Sequence, residues 1–247
     1  MSAMAKRLDQ WLVDSAKSAT RSRAQDAIKN GKVSVNGTVT RKVAQRVGAS
    51  DEIAIAPDAD QWVSRGAIKL VAGLAQFAIE PLKKTCLDIG ASTGGFSEVL
   101  LRGGAKKIYA VDVGHGQLHD RLAGQRDIVN LERTDARRLT ADIVPEAIDL
   151  LVCDASFISI EKMLAPALSL VAPEGEGILL IKPQFELGPD HIGKGGIVKA
   201  SREIIETMIE ERTAWVNDQG FATIGLIESP IKGSDGNQEY LMGIRKI

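Results

Sequence analysis

The chain has 247 residues, of which 44% are hydrophobic and 26% charged, and its formal net charge is −1. This composition is enough for a buried core and excludes a disordered chain, while two cysteines exclude a disulfide-stapled fold and indicate a reduced, intracellular protein. No stretch reaches the roughly 20 apolar residues of a membrane span, and the first seven residues lack the apolar run of a secretory signal. We therefore expect a cytoplasmic protein that does not contact membranes.

The charge is divided unevenly along the chain. Residues 1–50 hold ten Lys/Arg and three Asp/Glu, a net charge of +7, whereas the other 197 residues hold 21 and 29, a net charge of −8. A basic head on an acidic body favours contact of the head with nucleic acid. Chance clustering on a solvated surface explains the charge alone equally well.

Residues 1–57 predict a small α+β domain with two helices and a short sheet. Apolar residues at helical spacing predict helices around residues 8–12 and 24–28, and Gly31 is placed to end the second helix. A hairpin then turns at Asn36-Gly37, and Ile53, Ala54 and Ile55 form a third short strand.

Beyond a polar linker at 58–62, the domain from 63 to 247 predicts alternating strands and helices. We place strands at 85–90, 107–113, 128–134, 148–155, 177–183, 221–229 and 240–246. The helices are expected at 93–102, from the second strand to about residue 123, at 160–171 and at 201–219. This alternation predicts a doubly wound α/β sheet.

A glycine-rich loop joins the first of these strands to its helix. Its small residues let a ligand approach the backbone at a helix N-terminus. Asp112 ends the second strand, where a carboxylate accepts hydrogen bonds from ribose hydroxyls, and Asp135 follows the third strand, where a carboxylate can meet an adenine amino group. The candidate cofactor-binding residues are Asp88, Gly90, Ala91, Ser92, Thr93, Gly94, Gly95, Phe96, Asp112, Val113, Asp135, Ala136 and Asp154.

The spacing of the loop is D-x-G-x-x-x-G, not the G-x-G-x-x-G of dinucleotide-binding loops. It resembles motif I of S-adenosylmethionine-dependent methyltransferases. A tight turn with incidental glycines is the alternative for the loop alone, and NAD is the rival cofactor. The three signals together favour S-adenosylmethionine.

Two charged residues end neighbouring apolar strands. Asp154 follows the fourth strand and Lys182 the fifth, and a buried ammonium needs a partner of this kind. A salt bridge at a sheet edge explains an isolated pair equally well. The fourth strand lacks the Asn/Asp-Pro-Pro-aromatic tetrad of base-amine methyltransferases, which disfavours amine transfer.

With Lys69 in VSRGAIKL and Glu239 in SPIKGSDGNQEY, these two residues resemble the K-D-K-E tetrad of FtsJ-like ribose 2′-O-methyltransferases. YAVDVGHGQL, CDASFI and residues 86–96 and 229–241 resemble the TlyA family in particular, also called haemolysin A, which modifies rRNA. The resemblance covers essentially the whole chain. It implies a seven-stranded Rossmann-like sheet whose last strand is antiparallel, and S-adenosylmethionine as cofactor.

The resemblance also implies roles for the tetrad. Lys182 is expected to receive the proton of a ribose hydroxyl or to stabilise the developing oxyanion. Lys69 is a candidate for a neighbouring cation, and Asp154 and Glu239 would orient the lysines. Because the chain ends directly after its last strand, it resembles the short members of the family, which implies a cytidine of large-subunit (23S) rRNA as the target.

The head is similar to the S4 RNA-binding domain in RLDQWL, SRAQDAIKNG and VSVNG. Phosphate contacts from such a domain position a protein on ribosomal RNA without specifying sequence. Trp11 is the only aromatic residue of the head and is expected to be buried, so recognition of folded RNA shape is favoured over base stacking. The candidate RNA-binding residues are Arg7, Arg21, Arg23, Lys29, Lys32, Arg41, Lys42 and Arg65.

Three weaker signals leave alternatives. Residues 185–200 are either a flap over the substrate or an ordinary exposed loop. His115 and His119 suit two metal ligands on a helix face, but no third ligand is spaced to match, so we expect no metal. The rival functions are a non-catalytic RNA-binding assembly factor, a pore-forming haemolysin and an S4-bearing pseudouridine synthase. The intact loop and tetrad disfavour the first, the lack of a signal, a membrane span or an amphipathic β pattern disfavours the second, and the cofactor-binding α/β pattern disfavours the third.

Overall fold

A computed structural model describes residues 5–18, 20–29, 31–55 and 62–247, without the side chains of residues 22, 23 and 26. The chain divides into two compact units, Met1–Trp62 and Val63–Ile247. The linker proposed at 58–62 lies outside the described residues except for Trp62.

The first unit is a small α+β domain. Strand β2 pairs antiparallel with β3 and with β5, and β1 pairs with β4. The β2–β3 hairpin turns through Asn36 (φ 52°) and Gly37 (φ 77°), the two left-handed positions of a type I′ turn. Its elements are β1 (Lys6–Arg7), α1 (Leu8–Asp14), α2 (Arg21–Lys29), β2 (Val33–Val35), β3 (Thr38–Thr40), β4 (Arg46–Val47) and β5 (Ile53–Ile55). The two helices, the hairpin and the third strand are confirmed, and the β1–β4 pair was not predicted.

The second unit is built on a seven-stranded sheet in the order β11-β12-β10-β9-β6-β7-β8. Strand β12 runs antiparallel to both of its neighbours, and the other pairs are parallel, as predicted for the last strand. The strands are β6 (Thr85–Ile89), β7 (Lys107–Val111), β8 (Ile128–Leu131), β9 (Ile148–Cys153), β10 (Val171–Ile181), β11 (Phe221–Glu228) and β12 (Tyr240–Lys246). The helices are α3 (Gly66–Phe77), α4 (Gly95–Arg102), α5 (Ile160–Met163), α6 (Ala165–Ser169), α7 (Pro183–Glu186) and α8 (Arg202–Asp218).

The apolar runs explain which strands lie at the centre of the sheet. Every residue of β6 is buried, and five of the six residues of β9 are, because helices cover both faces of a parallel sheet. Helix α8 begins where the sequence predicts, since the Ser201 hydroxyl accepts a hydrogen bond from the amide of Ile204 (3.4 Å). The doubly wound architecture is thereby confirmed.

The helix predicted from the second strand to about residue 123 is absent. This segment forms bends and turns instead, with left-handed backbone at Gly116 (φ 64°) and Gly124 (φ 83°). Glu132 accepts hydrogen bonds from the amides of Gly116, Gln117 and Leu118 at 2.6, 2.9 and 3.1 Å. A carboxylate thus takes amides that a helix would use, and the helical prediction was wrong.

The helix predicted at 160–171 is also wrong in extent. It is divided into α5 and α6, with Pro166 in the first turn of α6, and Val171 already belongs to β10. Strand β10 therefore begins six residues before the predicted position, because Val171 pairs with Ile148 ahead of a register shift. The pairing of a neighbouring strand, which local spacing does not contain, sets this boundary.

Candidate active site

The carboxyl ends of four parallel strands meet at one edge of the second unit's sheet. Ile89 is in register with both Val111 and Cys153, and Cys153 is in register with Leu179. The segments that begin at Gly90, Asp112, Asp154 and Lys182 therefore leave the sheet at this edge. This is where open α/β sheets bind ligands.

Glycine is required in the loop after β6. Gly90 has φ 80°, and its amide donates to the Val111 carbonyl (2.9 Å). A Cβ at Gly90 would lie 2.8 Å from Ala155 Cα, so only glycine allows the β6 and β9 loops to approach this closely. Gly94 (φ 92°) and Gly95 then begin α4, whose N-terminus faces this loop.

Asp88 supports the loop from inside the core. Its side chain is fully buried, and one oxygen accepts a hydrogen bond from the Ser97 hydroxyl (2.7 Å), while the other has no partner among the described residues. Burial raises the pKa of Asp88 to about 7, and the charges of Asp154 and Asp112 act in the same direction. Asp88 thus anchors α4 from the core, and its contact with a cofactor stays a prediction.

Asp112 and Asp135 carry the two carboxylates that the sequence assigned to a nucleoside. Asp112 accepts hydrogen bonds from the amides of Ser92 (2.9 Å) and Gly114 (2.7 Å). The Asp135 carboxylate is held by Arg137, with Nη2 and Oδ2 2.6 Å apart, and this side chain lowers the pKa of Asp135 to about 2. An adenine amino group would have to share Asp135 with that guanidinium.

The edge nevertheless fits a nucleoside-containing cofactor. Val113, directly after Asp112, is 73% exposed and presents an apolar surface at this edge. Ala136 is buried in the 3₁₀ turn that follows Asp135. The Asp112 carboxylate, the Val113 side chain and the N-terminus of α4 are therefore available to such a cofactor at this edge.

The four residues of the tetrad form two ion pairs in which both lysines are buried. Lys69 Nζ lies 2.5 Å from Glu239 Oε2, and Lys182 Nζ lies 2.6 Å from Asp154 Oδ1. The Lys182 ammonium donates its hydrogen bonds to Ser156 Oγ (2.9 Å) and to the Asp154 carbonyl (3.4 Å). Each lysine thus has its own carboxylate, and the charges of the group sum to zero.

Two contacts connect the pairs to their surroundings. Gln184, two residues after Lys182, donates a hydrogen bond to Glu239 Oε1 (3.4 Å). A Cβ at Gly66, in the first turn of α3, would lie 3.2 Å from Asp154 Oδ2, so the helix that carries Lys69 begins against Asp154. The sequence predicted the pair of Lys182 with Asp154 but did not indicate that Lys69 pairs with Glu239.

Phe157 is an aromatic residue of the site that the sequence analysis missed. Its backbone is left-handed (φ 69°), its side chain is 90% exposed, and its ring centroid lies 5.2 Å from that of Phe185. The Phe185 ring in turn lies 6.0 Å from Lys182 Nζ. An aromatic residue three positions after Asp154 was the available signal, and its exposed ring packs against Phe185.

The segment at 185–200 is folded against a neighbouring loop. After α7 it forms two 3₁₀ turns, Pro189–His191 and Lys194–Gly196, and a bridge between Ile192 and Val198. The Asn237 side chain donates to the Gly196 carbonyl (2.8 Å) and accepts from the Val198 amide (2.9 Å). Its role as a flap stays a prediction.

In the first unit, one buried carboxylate organises two of the candidate RNA-binding arginines. Asp9 is fully buried and accepts hydrogen bonds from Arg7 Nε (3.0 Å), Arg21 Nε (2.9 Å) and Gln25 Nε2 (2.9 Å). The Arg7 guanidinium holds the pKa of Asp9 well below its usual range. Both arginines keep about half of their side chains in solvent, so their remaining N–H groups are available to a phosphate.

The other candidate RNA-binding residues are mostly at the surface. Trp11, which was expected to be buried and is not one of these candidates, is only half-buried against the core of the head. Lys17 Nζ lies 5.6 Å from the centroid of its ring. Arg65, in the second unit, donates a hydrogen bond to the Lys232 carbonyl (3.2 Å). The side chain of Arg23 lies outside the described residues, Lys32 is half-buried, and the exposed members are Lys29, Arg41, Lys42 and Arg65.

The described residues include no cluster of three or more His, Cys, Asp and Glu that fits a metal ion. His115 and His119 do not share a helix face, since their segment is not helical. His119 Nδ1 accepts a hydrogen bond from the Arg121 amide (2.9 Å), and His115 Nδ1 lies 3.3 Å from Glu132. Across the ranges that the structure describes, no helix is both long and apolar enough to cross a membrane.

The sheet order, the antiparallel last strand and the loop after β6 define a Rossmann-like methyltransferase fold. A solved structure of an S-adenosylmethionine-dependent methyltransferase from Listeria monocytogenes matches this fold with a TM-score of 0.55 at 15% identity, over 74% of this chain and 98% of its own. A haemolysin-named structure from Streptococcus thermophilus matches more of the chain, with a TM-score of 0.77 at 34% identity, over 99% of this chain and 89% of its own.

Family models and relatives agree with the fold. The FtsJ-like methyltransferase model matches residues 62–246, and the S4 domain model matches residues 6–53. The 16S/23S rRNA (cytidine-2′-O)-methyltransferase TlyA of Mycobacterium tuberculosis is 38% identical over 97% of this chain and 89% of its own. Hemolysin A of Brachyspira hyodysenteriae is 38% identical over 95% of this chain and 98% of its own. The chain belongs to the TlyA family and joins an S4 domain to an FtsJ-like methyltransferase domain.

Proposed function

We propose that this enzyme transfers a methyl group from S-adenosylmethionine to the ribose 2′-oxygen of a cytidine in 23S rRNA. The observation that carries the proposal is the Lys182–Asp154–Ser156 cluster, which lies at the sheet edge beside the glycine-rich loop. A buried lysine at this place suits a hydroxyl nucleophile, which must lose a proton as it attacks.

The relatives support the type of nucleotide. The M. tuberculosis relative is named for cytidine-2′-O methylation of 16S and 23S rRNA, and a relative from Campylobacter jejuni, 40% identical over 72% of this chain and 69% of its own, is named for 23S rRNA alone. Cytidine and 23S rRNA are common to both names, which is our reason for proposing them here.

The cofactor would be held by the loop and by the two carboxylates. Asp112 would bind the ribose, Val113 would cover one face of the adenine, and Asp135 would accept from the adenine amino group alongside Arg137. Gly90 and the N-terminus of α4 would border the methionine part. When bound, S-adenosylmethionine supplies an activated methyl group on a positively charged sulfonium.

The protein's own residues manage the proton and the geometry. Lys182 would either receive the proton of the 2′-hydroxyl or hold the negative charge that develops on the oxygen. Asp154 and Ser156 fix the position of the Lys182 Nζ. The Lys69–Glu239 pair is connected to the segment of Lys182 by the hydrogen bond that Gln184 donates to Glu239. Much of the rate would come from holding the oxygen at the correct distance and angle.

The first unit would bind RNA phosphates. The Arg7–Asp9–Arg21 arrangement presents two oriented guanidinium groups, and Lys29, Arg41 and Lys42 add exposed positive charge. Such contacts supply affinity that depends on salt but not on sequence. We place the protein in the cytoplasm, because its proposed substrate is a ribosomal subunit.

The test is methyl transfer from labelled S-adenosylmethionine to purified 50S subunits, 30S subunits and naked 23S rRNA. We expect transfer to a 23S-containing substrate, and loss of transfer with Lys182→Ala while cofactor binding measured by calorimetry stays within about twofold. Lys107→Ala, which removes a surface lysine paired with Glu146, is the control and should keep full activity. Transfer that is undiminished in Lys182→Ala would refute the assigned centre, and transfer to 30S subunits alone would refute the proposed target.

A further inference from the structure

Two segments carry the proposed reaction centre, and they are joined at three successive points. Residues 154–160 follow β9, and residues 182–186 follow β10. The Lys182–Asp154 pair joins them next to the sheet, and the rings of Phe157 and Phe185 meet in the middle (5.2 Å). Glu186 makes the third connection, at the far end of both segments.

Glu186 binds the segment 154–160 through both of its oxygens. Its Oε1 accepts a hydrogen bond from the Ile160 amide (3.0 Å), and its Oε2 accepts one from the Ser159 hydroxyl (2.7 Å). Ser159 stands at the N-cap of α5, but its side chain makes no capping bond to that helix. Glu186 therefore satisfies an amide of the first turn that a capping side chain would otherwise bind.

Arg212 of α8 balances the charge of this carboxylate. The Glu186 side chain is only 2% exposed, and Arg212 Nη1 lies 3.3 Å from its Oε2. The same nitrogen lies 2.8 Å from Glu161 Oε2, and the Arg212 side chain is 12% exposed. A carboxylate this buried needs a nearby cation and directed hydrogen bonds, and it has both.

The backbone between these connections is strained. Phe157 is not a glycine, yet it has φ 69°, a conformation that costs on the order of 1–3 kcal/mol and persists only where the surroundings impose it. Its side chain is 90% exposed, so burial of the ring does not impose it. The fixed points on either side of Phe157 are Ser156, bound to Lys182, and Ser159, bound to Glu186.

We propose that Glu186, held by Arg212, is a positioning residue of the methyl-transfer site. It fixes the far end of the segment that carries Asp154, Ser156 and Phe157, and thereby keeps the Lys182 ammonium and the Phe157 backbone in the geometry described. Glu186 acts through these residues and does not touch the substrate. The inference rests on the proposed function, because positioning is meaningful only if this site transfers methyl groups.

The first arm of the test measures the connection itself, without activity. Hydrogen exchange of residues 155–160 is followed in the full-length protein for wild type, Glu186→Gln, Glu186→Ala and Arg202→Ala. Arg202 forms an exposed pair with Glu206 on the same helix as Arg212 and is the matched control. Protection of this segment should fall in both Glu186 variants and stay at the wild-type level in Arg202→Ala.

The second arm measures catalysis on the substrate that wild type methylates. We expect Glu186→Gln to lower kcat by about tenfold or more, since small displacements near a reaction centre are costly, while the Kd for S-adenosylmethionine and the KM for RNA stay within about twofold. The pH–rate profile should also move, because the Lys182–Asp154 geometry changes.

The outcomes separate the two claims. Wild type that methylates no rRNA refutes the proposed function. Wild type that is active, together with unchanged exchange in both Glu186 variants, overturns the positioning role. Reduced protection with kcat per folded molecule within twofold of wild type and an unmoved pH profile also overturns it, since Glu186 would then be merely structural.

Discussion

Breaking the Lys182–Asp154 pair should lower the free energy of unfolding and abolish methyl transfer. A second substitution should separate the two effects. Lys182→Met removes a side chain that is 8% exposed and leaves a carboxylate that is 20% exposed without its counterion. Breaking a fully buried pair costs about 3–5 kcal/mol, and the partial exposure of Asp154 puts the expected loss at the lower end, about 3 kcal/mol. Lys182→Met combined with Asp154→Asn removes both charges and should recover most of that loss, but no activity.

The matched control is another lysine at the opposite edge of the same sheet. Lys84 lies 2.6 Å from Glu176, which also binds Arg245 (2.8 Å), so Lys84→Met leaves that carboxylate with a partner. We expect it to cost about 1 kcal/mol and to keep methyl transfer within about twofold of wild type.

The assay is urea unfolding followed by the fluorescence of Trp215, which lies in α8 of the second unit. The other two tryptophans, Trp11 and Trp62, are replaced by phenylalanine in every protein compared. Activity is measured on the same samples. The account fails if Lys182→Met retains methyl transfer, or if the double variant is no more stable than the single variant. In the first case Lys182 is not the reacting group, and in the second the pair is not coupled.

Three further predictions follow from other parts of the structure. Gly90→Ala should abolish cofactor binding measured by calorimetry, because the new Cβ would lie 2.8 Å from the Ala155 backbone. Gly116→Ala is the control, since Gly116 also has a left-handed backbone (φ 64°) but open space around it, and it should leave binding intact. Equal effects of the two substitutions would contradict this. The pKa of Asp88 is raised to about 7 from an ordinary 3.8, so the unfolded chain loses this proton at a lower pH than the folded protein does. The free energy of unfolding should therefore fall from pH 4 to 7 by up to about 1.4 kcal/mol per pH unit. A wild-type slope equal to that of Asp88→Asn would contradict this. Arg21→Gln should lower the slope of log K against log salt for RNA binding by about 1, and an unchanged slope would exclude a phosphate contact.

Local patterns were sufficient for much of the fold. The apolar run at Ile148–Cys153 predicted a central parallel strand, because burial on both faces leaves no alternation. Asn36-Gly37 predicted its hairpin, since few residue pairs adopt two left-handed positions in succession. In these places the local sequence and the tertiary structure favour the same conformation.

Predictions from local sequence failed where contacts between residues distant in the sequence determine the structure. The turn segment after β7 is not a helix, because Glu132, 14 to 16 residues further on, takes its amides. The pairing of Lys69 with Glu239 spans 170 residues and depends on where β12 is inserted in the sheet. The left-handed backbone of Phe157 depends on contacts that flank it on both sides, which no spacing of residues indicates.

The central claim is that the Lys182 site methylates a ribose oxygen of a cytidine, and nucleoside analysis of the reacted RNA tests it most directly. After reaction of 50S subunits with the wild-type enzyme and S-adenosylmethionine, the 23S rRNA is digested to nucleosides and analysed by mass spectrometry. The account predicts a gain of 2′-O-methylcytidine that approaches one per subunit and is absent with Lys182→Ala. A gain of base-methylated cytidine, or of 2′-O-methylcytidine that persists in Lys182→Ala, would contradict it.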